Sequence, residues 1–561
     1  MVQPGQLTDV DMYLSGEFVE MEEFIVQDVQ LGTSTEAGLL ELRADAPALL
    51  DSVSSELISR AGASDAAAAL SLVAGATVSD GKFAVIRGLP DRYVVSLLNN
   101  VRLPSADAET RAVELDQFPS TVIDSIQVSK TFTPDQQGDA SGGAVNVVLK
   151  GIPDENVIQF SASTSINTND PGDGEFLTYK GGGVNFWGFD DGGRAIQSEF
   201  YNPAGSDGFY NGAKGVSRGD APINYKWSAT AGGNRELADG WRTGGVISFY
   251  YDQGSSYFDN GVKDDLGIGD IGQVPLGTPP GGYAPRWGNY FGTPRASLFD
   301  VEQGSQEVKW GGLATAGLEN EFNRFKIVYM YAHSAEDTAR VEQDTRSSTE
   351  WWPNLDDNSF LKQFVFSPTD IPNYFRNESL TYVERTTQSL QFSGEHTLPV
   401  LDESGEVTFF RLENPEFSWF YAQSSTRRYE PDKRLFSSIY LPASGQHQTR
   451  LTGGSIGNFN RIWQDIEEES NQYTMDVKLP FRQWSDSAGY FKIGLFNDRV
   501  ERSYLQDSFS NRNEFVDGFP VPYDAPLRII SVILPKAFPI YWVMTQWMWI
   551  IEVGKIWMPG I

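Results

Sequence analysis

A series of runs in which apolar and polar residues alternate constrains the fold of this chain more than any other feature. Such runs occur after Lys150, at 223–231, 247–251, 325–331 and 417–421. A period of two places successive side chains on opposite faces of a β-strand, so each run predicts a strand with one apolar, aromatic-rich face. Tilted strands of about ten residues match the thickness of a bilayer core.

The connections between these runs differ greatly in length. Long stretches extend from 254 to 301, from 337 to 377 and from 426 to 469, whereas other connections are short turns. Short turns at one end and long loops at the other are typical of membrane-spanning β-barrels. The alternation also suits a soluble β-sandwich with one wet face, but long aromatic strands with unequal loops favour the barrel.

Composition excludes several classes of function. The formal net charge of −32 argues against a nucleic-acid partner, which requires basic surfaces. The chain has no cysteine, so it has no disulfide, no thiolate metal site and no cysteine nucleophile. Its three scattered histidines cannot form a multi-histidine metal site, and no Ser/His/Asp arrangement stands out. We therefore predict no enzyme activity, no cofactor and no metal site.

Three short segments between 83 and 150 form a distinct, glycine-hinged pattern. An apolar strand ends at Ile86-Arg87-Gly88, a second strand ends on Lys130, and the turn Ser141-Gly142-Gly143 opens a third. The glycine turn leads into a strand rather than a helix, so it cannot hold a phosphate at a helix N-terminus. In this order the segments resemble the plug domain of a TonB-dependent outer-membrane transporter.

That resemblance suggests a role for a short apolar run that lies among acidic residues near the start of the chain. Glu23, Phe24, Ile25 and Val26 resemble a TonB box, the extended segment that the periplasmic TonB protein captures. Capture would add an edge strand through main-chain hydrogen bonds. The pattern alone equally suits an ordinary short strand, and its position ahead of the plug-like segments favours the TonB box.

Two helices and several strands are predicted in the plug-like region. Asp45 begins a helix that Gly62 ends, and Asp65 caps an alanine-rich helix that ends near Gly75. Strands are predicted next at 82–87 and 93–98. Asn99 and Asn100 then form a turn, because Asn tolerates positive φ.

The resemblance divides the chain into five parts. Residues 1–20 resemble the last strand of a carboxypeptidase-regulatory-like β-sandwich, 21–44 hold the TonB box and a linker, and 45–150 form the plug domain. Residues 151–524 form the N-terminal portion of the transmembrane barrel, and 525–561 form an apolar tail without alternation. The fold class is mainly β, with a small α/β plug domain followed by an incomplete transmembrane antiparallel β-barrel.

The ends of the sequence are interpreted as the limits of a fragment. The first basic residue is Arg43, so no secretory signal with a charged n-region precedes the plug-like segments. We expect the sequence to begin inside a longer one. A frameshift explains the abrupt change after Pro526 better than a monotopic membrane segment does.

The resemblance also implies a function. It implies TonB-dependent uptake of a scarce ligand (a ferric siderophore, cobalamin or an oligosaccharide) across the cell outer membrane, with TonB and outer-membrane lipid as partners. Arg87 would lie inside the barrel and pair with carboxylates of its wall. The alternative is a secreted β-rich protein that binds or degrades glycans. Because specificity usually lies in loops, aromatic residues of the long connections are the candidate ligand contacts: Trp287, Tyr290, Trp351 and Trp352.

Overall fold

The computed structural model describes most of the chain between residues 49 and 510, together with short segments on either side of that range. The described residues are 38–40, 43, 46, 49–79, 81–89, 93–107, 113–131, 142–153, 155–169, 174–196, 212–213, 215–264, 298–343, 374–399, 411–441, 446–449, 459–482, 488–510, 515–516, 519–520 and 542–554.

The described residues from 49 to 153 form an N-terminal domain around a small mixed sheet. Its elements are β1 (Leu50–Ser54), α1 (Ser55–Ala61), α2 (Ala66–Leu70), β2 (Ala76–Ser79), β3 (Phe83–Ile86), β4 (Val94–Leu98), β5 (Val101–Arg102), β6 (Ile123–Ser129) and β7 (Gly143–Leu149). The sheet has the order β1-β6-β7-β4-β5, and only β4 and β7 pair in parallel. Both helices pack on it through buried side chains such as Ile58 and Leu70.

The first predicted helix is wrong in its N-terminal half. Residues 50–54 pair with β6 as an edge strand instead, and Ser54 caps the helix by accepting a hydrogen bond from the Leu57 amide at 3.2 Å. Ser and Asp compete for backbone groups near helix starts, which moves the start to Ser54. The predicted end is confirmed, because Gly62 adopts the left-handed conformation with φ 70°.

The other local predictions agree more closely with the structure. Asp65 caps α2 through the Ala68 amide at 2.8 Å, as expected, although the helix ends at Leu70 rather than near Gly75. Asn99 and Asn100 have φ of 51° and 67°, which confirms the predicted turn.

The rest of the described chain forms one large antiparallel sheet. Its strands are β8 (Val157–Ser165), β11 (Asn224–Glu236), β12 (Arg242–Asp264), β13 (Leu298–Glu319), β14 (Asn323–Gln343), β15 (Tyr374–Thr397), β16 (Arg411–Leu412), β17 (Glu416–Leu441), β18 (Gln446–Thr449), β19 (Phe459–Arg482), β20 (Ala488–Ser510) and β23 (Trp542–Gly554). Two short pairs lie outside it: β9 (Phe176–Thr178) with β10 (Ser217–Gly219), and β21 (Phe515–Val516) with β22 (Phe519–Pro520).

Neighbouring long strands pair in sequence order, from β8 at one edge to β23 at the other. All four alternating runs lie in strands, as predicted. The strands continue well beyond the alternation, however, so the long connections are shorter than expected: 265–297, 344–373 and 442–458. Residues 542–554 of the predicted apolar tail pair with β20.

The two faces of the large sheet have different roles. On β14, Val328, Met330 and Ala332 contact the core of the N-terminal domain, so alternate residues point inward. The intervening side chains point outward and form an apolar belt, which comprises Ile158, Phe160, Trp227, Ile247, Phe249, Phe325, Ile327, Tyr329, Tyr331, Leu390, Phe392, Phe417, Trp419, Tyr421, Tyr473, Met475, Ile493 and Leu495. No helix in the described ranges is both long and apolar enough to cross a membrane.

Candidate functional site

The glycine turn brings the three plug-like segments together. Gly143, the first residue of β7, has φ 123°, and a Cβ atom there would overlap the carbonyl oxygen of Ser129 and lie 3.2 Å from Cδ1 of Ile86. The positive φ and the two close neighbours both require glycine. The end of β3, the end of β6 and the start of β7 therefore meet at one point.

Gly142 makes a similar approach on the other side. Its amide donates to the Tyr93 carbonyl at 2.7 Å, and a Cβ there would lie 2.8 Å from the same oxygen. Ser141 lies outside the described residues. The glycine pair allows β7 to enter between β4 and β6, which is a packing role rather than a binding role.

The predicted pairing of Arg87 with the sheet wall is not seen among the described residues. Arg87 and Gly88 form an exposed turn with φ of 52° and 77°, and the Arg87 amide donates to the Gly75 carbonyl at 2.8 Å. Within the described residues, no carboxylate pairs with the Arg87 guanidinium. The turn leaves this side chain exposed, and other residues of the domain make the contact expected of it.

Lys130 closes a link to the segment ahead of the domain. Its Nζ lies 2.6 Å from Oδ2 of Asp51, whose other oxygen lies 3.5 Å from Nη1 of Arg43. Arg43 also donates to the Ser52 hydroxyl at 2.9 Å. Edge strand β1 is thus held by its ladder with β6 and by a charge pair near its start.

The Lys130–Asp51 pair predicts a local effect. We expect Lys130→Gln to speed hydrogen exchange of the amides at 50–54 by roughly fivefold, since a partly exposed pair contributes about 1 kcal/mol. Arg60→Gln is the matched control, because Arg60 pairs with Glu56 at 3.6 Å on an exposed helix face. Equal exchange at 50–54 in both variants would contradict a role for Lys130 in holding β1.

A cluster of ionised side chains joins the N-terminal domain to the inner face of the sheet. Lys82, Glu114 and Asp116 belong to the domain, and four partners on β13, β14 and β15 face them. The ion cluster consists of Lys82, Glu114, Asp116, Glu307, Lys309, Glu336 and Arg385.

Three direct pairs hold the ion cluster together. Lys309 lies 2.7 Å from Asp116, and Lys82 lies 3.1 Å from Glu336. In the third pair, Nε of Arg385 lies 2.8 Å from Oε1 of Glu114. The side chains of Asp116 and Lys309 are only 7% and 20% exposed, so water screens this pair weakly.

The electrostatics of the ion cluster keep its domain-side groups charged. Burial opposes ionisation of Asp116, but Lys309, Lys82 and Arg385 outweigh it and hold the pKa of that carboxyl below its usual range. Burial and Arg385 lower the pKa of Lys82, but Glu114, Glu336 and Glu307 together raise it above its usual value. Opposite charges of the domain and of the sheet together favour the charged forms of Asp116 and Lys82.

Neutral hydrogen bonds extend this contact around the sheet. Gln391 of β15 donates to the Leu98 carbonyl at 3.1 Å and accepts from the Asn99 amide group at 3.0 Å. Gln472 of β19 both donates to and accepts from the backbone of Arg102. Tyr250 of β12 donates to the Gln117 carbonyl and Arg502 of β20 donates to the Ser105 carbonyl, both at 3.0 Å, so the sheet curves around the N-terminal domain.

Several sequence-predicted site residues lie outside the described part of the chain. They are the TonB-box residues Glu23, Phe24, Ile25 and Val26 and the candidate ligand contacts Trp287, Tyr290, Trp351 and Trp352. Sequence reasoning missed the ion cluster. Its signal was the presence of charged residues at inward positions of alternating strands, such as Lys309 and Glu336.

The described residues contain no group of three or more His, Asp or Glu side chains that could hold a metal ion. A cavity of about 510 Å³ lies between residues 179–194 and the outward face of the sheet. Its guanidinium groups are already engaged, since Arg194 pairs with Asp337 at 3.3 Å and Arg434 with Asp432 at 2.6 Å. These pairs stabilise the wall of the cavity.

The N-terminal domain has a counterpart among known protein families. The family model described as "TonB-dependent Receptor Plug Domain" matches residues 43–145. This range contains Lys82, Asp116 and both glycines of the turn at Gly142 and Gly143. No curated protein matches the chain.

The solved structures that align with this chain are distant in sequence. The ferric-catecholate import receptor Fiu from E. coli K12 aligns with a TM-score of 0.43 and 11% identity, over 91% of this chain and 66% of that one. The ferric yersiniabactin uptake receptor FyuA from Yersinia pestis gives 0.36 and 9%, over 90% of this chain and 61% of that one. This chain spans less than two thirds of either receptor, and similarities this low indicate no ligand.

Proposed function

We propose that this chain, a TonB-dependent receptor by its plug domain and its long antiparallel sheet, serves TonB-dependent uptake of a scarce ligand across the outer membrane. The observation that carries the proposal is the ion cluster between the plug domain and the inner face of the sheet. A domain held in this place by breakable charge pairs can block a lumen and be displaced on demand.

Force from TonB would reach the plug domain through its first strand. The TonB box at 23–26 would add a strand to TonB, and the chain leads from there to β1. Because β1 is an edge strand, it can leave the sheet without breaking any ladder except the one with β6. The pair between Lys130 and Asp51 would resist this step.

The apolar belt supports a location in the outer membrane. On β14 it extends from Phe325 to Tyr331, about 20 Å at the usual rise per residue. In a strand tilted by about 40°, this length spans about 15 Å of the apolar band of outer-membrane barrels, which is about 25 Å tall. The belt also argues against the soluble glycan-binding alternative, because its aromatic rings line a continuous outward face that no second sheet covers among the described residues.

The ligand class remains that expected from the sequence: a ferric siderophore, cobalamin or an oligosaccharide. We expect its contacts on the long connections, at Trp287, Tyr290, Trp351 and Trp352, because loop aromatics suit each of these ligands. The family consists of receptors and transporters, which supports transport rather than catalysis.

An uptake assay tests the proposal. The chain is expressed in cells that lack their own receptors, with and without a functional TonB, and labelled ferric siderophores, cobalamin and oligosaccharides are supplied in turn. We expect accumulation of one class only when TonB is functional. Replacement of both Trp351 and Trp352 by alanine should reduce that accumulation at least tenfold. Accumulation that is independent of TonB would contradict the proposal.

A further inference from the structure

Part of the connection between β8 and β11 is described on the outward face of the large sheet. We call residues 174–196, 212–213 and 215–221 of this connection the outer loop. Phe176 and Leu177 of this loop pack against Ala339 and Leu380. Ala339 lies on the same face of β14 as Tyr329 and Tyr331, so the outer loop covers the wall from outside.

Buried polar contacts fix the outer loop on this wall. Arg194 lies 3.2 Å from Asp190 and 3.3 Å from Asp337 of β14. The Trp463 indole donates to the Arg194 carbonyl at 2.7 Å, and Arg434 donates to the Ala213 carbonyl at 2.6 Å. Strands β14, β17 and β19 therefore all hold the loop.

A tight turn in the outer loop is fixed most firmly of all. Gly188 has φ 70°, and its carbonyl accepts hydrogen bonds from the Tyr382 hydroxyl and from Nε2 of His333, both at 3.0 Å. Oδ1 of Asn185 accepts from the Trp187 amide at 3.0 Å. The turn thus presents its side chains in a set direction.

Those side chains are three large aromatic rings. Phe186 stacks on Tyr251 with centroids 4.6 Å apart, and Trp187 meets Trp310 edge-on at 5.2 Å. Phe189 lies 4.2 Å from the ring of His333. Despite these contacts Phe186, Trp187 and Phe189 remain 48%, 48% and 43% exposed.

The position of these rings relates them to the apolar belt. Trp310 lies 5.3 Å from Tyr331, and Tyr251 lies 6.1 Å from Trp227, so Phe186 and Trp187 continue the belt at the end nearest the long connections. Two charged residues of the outer loop, Asp190 and Asp191, directly follow Phe189 in the chain. Aromatic residues between an apolar band and a polar region are typical of the membrane–water interface.

We propose that Phe186, Trp187 and Phe189 insert into the interface of the outer lipid leaflet and anchor the outer loop to the membrane surface. The inference rests on the proposed function, because the belt must face lipid for its rim to do so. These three rings form a rim of the apolar belt that belongs to a loop rather than to strands alone. Their insertion would therefore couple the conformation of the outer loop to the bilayer. The occupant is lipid, since the rings are continuous with a lipid-facing surface.

The absence of cysteine from the chain makes a direct test possible. Trp187→Cys, Ile327→Cys in the belt and Leu237→Cys in a turn beyond it each provide one thiol for a nitroxide label. Ile327 and Leu237 are both 45% exposed, close to Trp187, so the three sites are matched. The full chain is placed in dioleoylphosphatidylcholine vesicles, and collisions of the label with oxygen and with a water-soluble nickel chelate are measured. Phe186→Cys provides a second rim position.

We expect the ratio of oxygen collisions to chelate collisions to be at least threefold higher for the label at 187 than for the label at 237. The label at 327 should show the same excess over the label at 237. Chelate access at 187 equal to that at 237, with 327 in lipid, would overturn the inference and leave the proposed function intact. Access to neither reagent at 187 would mean that protein covers the rim, which would also overturn it. Chelate access at 327 would remove the proposed location and the inference together.

Discussion

Gly143→Ala is expected to prevent the plug domain from folding, at a cost of at least about 3 kcal/mol. The added methyl group would overlap the carbonyl oxygen of Ser129. Separation of the two strands to admit it would break the ladder between β6 and β7, in which Ser129 pairs with Ala144. The φ of 123° adds backbone strain that alanine does not tolerate.

Hydrogen exchange of the β6 and β7 amides in the full chain measures this effect. Gly81→Ala is the matched control, since Gly81 also has positive φ (70°) but has nothing within 4 Å of its added Cβ. We expect the control to cost about 1 kcal/mol, which is the strain alone. Similar exchange rates in both variants would mean that the close approach at Gly143 does not hold the strands together.

The second large effect is expected at the ion cluster. Lys309→Met should loosen the plug domain by about 3–5 kcal/mol, because it leaves the Asp116 carboxylate buried without its nearest counter-ion. Oδ1 of Asp116 is already buried without a hydrogen-bond partner among the described residues, and the remaining cations, Lys82 and Arg385, make no direct pair with this carboxylate. Adding Asp116→Asn to Lys309→Met should restore part of the loss, since the unpaired Asp116 charge is then removed, while Glu307, which lies 3.0 Å from Lys309, still lacks that partner.

Hydrogen exchange of the amides at 113–131 measures this loss of stability in both single variants and in the double variant. Lys478→Met is the control, because Lys478 and Glu416 form an exposed pair on the same sheet and should change stability by less than about 1 kcal/mol. Additive effects in the double variant would show that Asp116 and Lys309 do not interact.

The contributions of Asp116 and Lys82 to the ion cluster should not change with pH across the neutral range. The pKa of Asp116 is depressed, so its stabilising effect is present above its usual value of 3.8 and is lost only as the pH falls through the lower folded value. The pKa of Lys82 is raised, so its effect is present below 10.5 and is lost only as the pH rises through the higher folded value. Titration of Asp116 or Lys82 is therefore not expected to loosen the plug domain near neutral pH.

The sequence predicted the parts of the fold that local chemistry determines. Alternation identified the strands, because the period-two pattern is a property of each strand by itself. Positive φ at Asn99 and Asn100 and the helix end at Gly62 were predicted from residue types. The predicted start of α1 was wrong, because the Ser54 cap and the ladder with β6 override a helical pattern that extends from 49 to 58.

The contacts that define the candidate site were harder to predict. Arg87 was the expected partner of the sheet, and Lys82 and Asp116 take that role instead. Which charge faces the wall depends on how the N-terminal domain sits inside the curved sheet, and no local pattern encodes that placement. The outer loop is a similar case, since Arg194 and Asp337 are 143 residues apart.

The most direct test of the proposed function is binding of the periplasmic domain of TonB to the full chain, compared between wild type and Ile25→Pro. Proline removes a backbone donor, so a strand added at 23–26 should lose affinity at least tenfold, whereas Ile25→Ala keeps the main chain and should bind nearly as wild type does. That result would establish TonB as the partner that pulls on the plug domain. No binding by wild type, or equal binding by the proline variant, would contradict the proposed function.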